Sequence, residues 1–186
     1  VPSLAREVTV AEEFPVVFAV YPHVTQLDFT GPHEVFSRLP GARCILASST
    51  GGDLEADGGL VFARVQRLAD VERCALLCVP GGFGTIAAME DQELLAQVRR
   101  LAGTARYVTS VCTGALVLGA AGLLKGKRAT THWAWREALP PNPACGQSPV
   151  ATTSVPVTGQ RNVTMTCGPW SSMPAVCCTM PTTPRR

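Results

Sequence analysis

Cys112 is the residue best placed to do chemistry. It ends the apolar run Tyr107–Val111 and is followed at once by Thr113, Gly114 and an apolar stretch of helical character reaching Leu124. A strand that runs straight into a nucleophile and out into a helix forces a sharp turn, which pushes the side chain clear of the sheet. The free N–H groups that open the helix, and the positive end of its dipole, favour the thiolate. The competing reading is a buried, inert cysteine. Ser110, Thr113 and Gly114 around it argue against that, since an inert cysteine needs no such junction.

Four further stretches could serve that thiol. Asp28 interrupts an apolar segment, either as an ordinary loop or cap aspartate or as a carboxyl facing Cys112. A carboxyl beside a thiolate is held partly protonated, because adjacent anions repel, and can then move protons near neutral pH. Gly81 and Gly82 leave the apolar run Ala75–Val79 and either make a tight turn or present N–H groups to a developing anion. Thr113 offers its N–H and hydroxyl to a substrate, or caps the helix. His132, 20 residues beyond Cys112, would activate the thiol if it faced it and is otherwise satisfied by backbone. Trp133 and Trp135 line a pocket, a subunit contact or the core. His23 and His33 are given no role.

The elements that must position these residues alternate in type. Pro15–Tyr21 is a near-continuous apolar run rich in β-branched residues, as in a strand covered on both faces of a parallel sheet. A loop to Thr30 and a short helix over Gly31–Leu39 follow. Cys44–Ala47 reads as a strand, and Ser48–Gly59 as a Gly/Asp/Ser-rich connection containing a hairpin with Leu60–Ala63. Ala75–Val79 is a buried strand. Asp91–Ala102 is an amphipathic helix, with Leu94, Leu95, Val98 and Leu101 at helical spacing, and Asp91 sits at its start, where the dipole favours an anion. This alternation predicts an α/β fold with a doubly wound, mostly parallel sheet and helices on both faces. Sites in such folds form at the carboxyl ends of the strands, where Asp28, Gly81–Gly82 and Cys112 all fall.

Bulk properties set the limits. The 186 residues, 46% hydrophobic and 16% charged, suit one domain with a sizeable core. A net charge of +2 is too small and dispersed to argue for nucleic acid or a membrane surface. No apolar run is long enough to span a membrane, and residues 1–13 read as a polar lead-in without a signal-peptide pattern. The expected location is cytoplasmic. There, cysteines stay reduced, and Cys44, Cys74 and Cys78 act as small hydrophobes. Cys74 and Cys78 have no second metal-like pair nearby, so no zinc site is expected.

The segment Ser110–Trp133 (SVCTGALVLGAAGLLKGKRATTHW), together with Gln26–Phe36 (QLDFTGPHEVF) and Val79–Gly82 (VPGG), closely resembles the ThiJ/PfpI superfamily, whose fold is like class I glutamine amidotransferases. Within it the run is most similar to isocyanide hydratases. The resemblance covers residues 15–139. It implies a flavodoxin-like domain over 14–139 and a cysteine-dependent hydratase, a lyase that adds water to an isocyanide to give an N-substituted formamide. Cys112 and Asp28 are then catalytic, Gly81, Gly82 and Thr113 contact substrate, and His132 is a further candidate. It implies no metal or organic cofactor, a small-molecule substrate and a homodimer. The alternatives are the ligand-sensing part of an AraC-type regulator without its DNA-binding region, or a redox-responsive cysteine protein.

Past residue 139 the composition changes. All 14 acidic residues lie at or before Glu137, while 138–186 carries nine of the 15 prolines and four of the eight cysteines. Pro140, Pro141 and Pro143 stop any arriving helix. The segment 140–186 is expected to be an irregular tail with one strand near Val155–Val157 or Asn162–Thr166. It reads either as a native Pro/Thr-rich extension or, the favoured expectation, as the product of a shifted reading frame that departs from the family.

Overall fold

The computed structural model describes residues 13–125, 127 and 129–138, and three further backbone strands in the C-terminal segment. Val16, Val17, Phe18 and Ala19 have no solvent exposure, so β1 (Phe14–Ala19) lies inside a sheet with both faces covered. It pairs in parallel with β2 (Ala42–Ser48) on one side and with β5 (Leu76–Val79) on the other. Beyond β2 comes β4 (Val61–Arg67), also parallel, and then the antiparallel edge strand β3 (Gly52–Glu55). Beyond β5 comes parallel β6 (Tyr107–Ser110). The order is β3-β4-β2-β1-β5-β6, continued by antiparallel β7 (Ala151–Val155), β8 (Thr164–Cys167) and β9 (Cys177–Thr179). The expected doubly wound, mostly parallel α/β sheet is present, as is the β3–β4 hairpin. Three strands stand in the C-terminal segment where one was expected; the rest of that expectation lies outside the described residues.

Helices differ from expectation more than strands do. α1 (Gln26–Phe36) begins five residues before the anticipated start at Gly31 and runs through Pro32. Gly31-Pro32 reads locally as a helix opening, since proline is tolerated in a first turn. Instead Pro32 lies inside, with no N–H to offer the carbonyl of Asp28 four residues back. Tertiary packing holds the helix: Phe29 and Phe36 are buried against Phe18, with ring centroids 5.1 and 6.3 Å away. The consequence is functional, because Asp28 sits in a helical first turn rather than in a loop.

α2 (Thr85–Glu90) was not anticipated; six residues are too few to establish a period. α3 (Gln92–Ala102) is capped as expected by Asp91, whose side chain accepts from the Leu94 N–H at 3.0 Å. Its Leu94, Leu95, Val98 and Leu101 are buried. α4 (Gly114–Ala120) stops short of Leu124, and Gly122 turns the chain at φ 77°.

Candidate active site

The turn between β6 and α4 holds Cys112 at φ 52°. That left-handed region costs a residue with a side chain roughly 1–2 kcal/mol, so the surroundings must impose it. Val111 N–H donates to the Val79 carbonyl at 3.0 Å, and Gly114 N–H donates to the Val111 carbonyl at 2.9 Å. The Thr131 hydroxyl donates to the Cys112 carbonyl at 3.1 Å. Gly114 is obligatory: a Cβ there would lie 2.0 Å from the Val79 carbonyl oxygen. The expected elbow is therefore present, with Cys112 half-buried at its apex.

α1 delivers Asp28 to that apex. Its carboxyl is hydrogen-bonded to the Cys112 thiol, and Oδ2 accepts the Gly81 N–H at 3.2 Å. Burial pushes the carboxyl up to about 6, and the charge of Asp57 adds to the effect. The bonds from Cys112 and Gly81 favour the ionised form and oppose it. The glycine loop after β5 is fastened to the start of α1 by Thr25 N–H donating to the Gly81 carbonyl at 2.9 Å and by a Val24–Gly82 bridge. Gly81 packs against the elbow so closely that a Cβ would lie 2.6 Å from Thr113 N and 2.9 Å from Cys112 Cβ.

The structure thus gathers Cys112, Asp28, Gly81, Gly82 and Thr113 in one place. Both glycine N–H groups are already engaged, Gly81 with Asp28 and Gly82 with Thr113 Oγ1 at 3.0 Å. In the structure these N–H groups hold the acid and the threonine in position. Thr113 caps no helix N–H with its side chain. Its buried hydroxyl instead joins a chain that the sequence reading missed. Thr85 Oγ1 lies 2.7 Å from Thr113 Oγ1 and donates to the Gly82 carbonyl, and Tyr21 Oη lies 3.0 Å from Thr85 Oγ1 while donating to the Pro80 carbonyl at 2.8 Å. Burial raises the Tyr21 phenol, which keeps it a neutral donor. Thr85 stands in the unanticipated α2, and Tyr21 ends an apolar run in which it passes for core; neither carried a signal separable from packing.

His132 follows Thr131, the residue that anchors the elbow. Its Nδ1 accepts the Ala134 N–H at 3.3 Å, and its ring lies 5.3 Å from that of Trp133. Trp133 and Trp135 are exposed, which removes the core-packing reading for both. Cys74 is buried, and burial pushes its thiol up to about 11, the inert counterpart to Cys112. Among the described residues no group of three or more His, Cys, Asp or Glu side chains is placed to hold a metal ion. Among them, too, no helix is long and apolar enough to cross a membrane.

A mostly parallel α/β sheet with a cysteine elbow at the end of β6 and a carboxyl facing the thiol defines the general class. The chain belongs to the DJ-1/PfpI family, whose model matches residues 15–173 and so runs across the compositional break near 140. It is 47% identical over 123 residues to an isonitrile hydratase of Pseudomonas putida, an alignment covering 66% of this chain and 54% of that protein. The chain thus spans about half the length of that relative. It is also 33% identical over 97 residues to the HTH-type transcriptional regulator CdhR of Pseudomonas aeruginosa, covering 50% of this chain and 29% of the regulator. Among solved structures, a ThiJ/PfpI family protein from Pseudomonas syringae superposes with a TM-score of 0.70 at 35% identity, over 81% of this chain and 65% of that one.

Proposed function

We propose that this chain carries the catalytic elements of an isonitrile (isocyanide) hydratase. The observation that carries the reading is the Asp28 carboxyl hydrogen-bonded to the Cys112 thiol, with its proton affinity raised to about 6. An isonitrile carbon is electrophilic towards a soft nucleophile. Cys112 sulfur bonds to that carbon as the one proton it shares with Asp28 passes from the carboxyl to the same carbon, giving an enzyme-bound thioimidate and leaving Asp28 ionised. Asp28, now ionised, takes a proton from water as the hydroxyl oxygen adds to the thioimidate carbon. Asp28 passes that proton to the nitrogen, the carbon–sulfur bond breaks as the carbonyl forms, and the hydroxyl proton returns to the sulfur–carboxyl pair. The product is an N-substituted formamide. Gly81 and Gly82 hold Asp28 and Thr113 in place, and His132, which follows Thr131 in sequence, is a further candidate. The sequence similarity to an isonitrile hydratase supports this choice among the reactions open to a cysteine–carboxyl pair.

The test is formamide production from an alkyl isocyanide by the purified chain, with Cys112→Ala and Asp28→Asn alongside. Turnover lost in both variants is the expected result, and full turnover in Cys112→Ala would refute the mechanism. The likeness to CdhR favours a second reading, a ligand-sensing domain of a regulator. That reading expects ligand binding without turnover.

A further inference from the structure

Asp57 was not singled out by its sequence context, yet it touches both segments that build the thiol site. It lies in the turn after β3, and its N–H donates to the Val24 carbonyl at 3.0 Å. Its Oδ2 accepts the Thr25 hydroxyl at 3.1 Å and, at the longer distance of 3.4 Å, the Phe83 N–H. Thr25 is the residue from which α1 starts, and the Asp28 N–H donates to the Thr25 carbonyl at 3.0 Å. Phe83 follows the glycine loop. One carboxylate therefore ties the first turn of the helix that carries Asp28 to the loop that donates to Asp28.

We propose that Asp57 is a positioning residue of the site: it clamps the start of α1 to the glycine loop, and its negative charge helps to keep Asp28 protonated. The charge acts in the direction the tie requires, because like charges close together disfavour ionisation, and Asp57 raises the proton affinity of Asp28. The other titratable groups facing Asp28 are Cys112 and Tyr21. Tyr21 stays neutral, and the hydrogen bond from Cys112 acts in the opposite sense to Asp57. Among these groups only Asp57 supplies a standing charge that favours the protonated acid. The inference deepens the hydratase reading by naming what sets the state of its acid, but its test needs no substrate.

The carboxyl-carbon NMR resonance of Asp28, assigned by its loss in Asp28→Asn, is followed through a pH titration. In the wild-type protein its midpoint should fall near the raised value of about 6. In Asp57→Asn, which keeps an oxygen acceptor for Thr25 and Phe83 but removes the charge, the midpoint should move to lower pH. Asp57→Glu should return it towards wild type. Thr25→Val cuts the tie but keeps the charge, and should hold the wild-type midpoint. If Asp57→Asn does not yield folded protein, Asp57→Ser carries the same readout. An unchanged or higher midpoint without the Asp57 charge would overturn the proposal, as would a fall in Thr25→Val equal to that in Asp57→Asn. Loss of hydratase turnover with these midpoints intact would count against the hydratase reading alone.

Discussion

Replacing Asp28 by Asn should make the protein more stable at neutral pH while removing the proposed hydratase turnover. Burial raises the Asp28 carboxyl from 3.8 to about 6 in the folded chain. Below the unfolded value the group is neutral in both states and its contribution is fully present. As the pH rises, the unfolded carboxyl ionises freely while the folded one resists, so stability is lost until the folded group also ionises. Two units at about 1.4 kcal/mol each put the full loss at about 3 kcal/mol. Working through the two titrations gives a loss of about 1 kcal/mol near pH 4.5 and about 3 kcal/mol near pH 8. Asn has the same shape, can still accept from Gly81 and does not titrate. Its stability relative to wild type should therefore grow by about 2 kcal/mol between those pH values. Urea unfolding of both proteins at the two pH values reads this difference, and taking it as a difference removes the titration of every group that does not interact with Asp28. A gap that stayed constant or narrowed with rising pH would refute the account of a buried acid held proton-bound by its surroundings.

Gly81→Ala should lower turnover at least tenfold and destabilise the fold by roughly 1–3 kcal/mol, since its Cβ would press on Thr113 and Cys112; activity assays and chemical denaturation check both. Cys112→Gly and Cys112→Ala should both be inactive, with the glycine variant more stable by about 1 kcal/mol because it accepts φ 52° without strain; thermal melts decide this. Thr131→Val removes the hydroxyl that donates to the Cys112 carbonyl. It should cost about 1 kcal/mol of stability and reduce kcat more than it changes KM, as steady-state kinetics will show.

How much of this was legible depended on whether a residue's role showed in its own neighbourhood. Cys112 was readable because strand, nucleophile and helix are adjacent in sequence, and the amphipathic α3 was readable because eleven residues display a period. Asp28 was readable as a candidate, but its helical setting was hidden by Pro32, which looks like a helix opening and is overridden by Phe29 and Phe36 packing on Phe18. Tyr21, Thr85, Thr131 and Asp57 were not legible. Each acts through a partner far away in the chain, such as Thr131 on Cys112 or Asp57 on Phe83. An isolated threonine or a turn aspartate looks the same whether or not such a partner exists. The glycine pair stands out in the sequence at the end of an apolar run, but which acceptor each N–H finds is determined only by the folded chain.

Acyl transfer depends on preorganised donors aimed at an oxyanion. In the glycine loop one N–H donates to Asp28 and the other to Thr113, and the Thr113 hydroxyl is absorbed into the chain leading to Tyr21. These polar groups are arranged to stabilise a particular acid in a particular place. A reacting molecule meets a strained, accessible thiol and, hydrogen-bonded to it, a carboxyl that binds its proton with an affinity suited to giving it up near neutrality. A substrate that gains a proton on carbon as sulfur attacks uses both features at once, and an isonitrile is such a substrate. The buried carboxyl and the left-handed cysteine both cost folding energy. They are tolerated because β5 and β1 from Val16 onward are buried and carry the core on which the elbow rests.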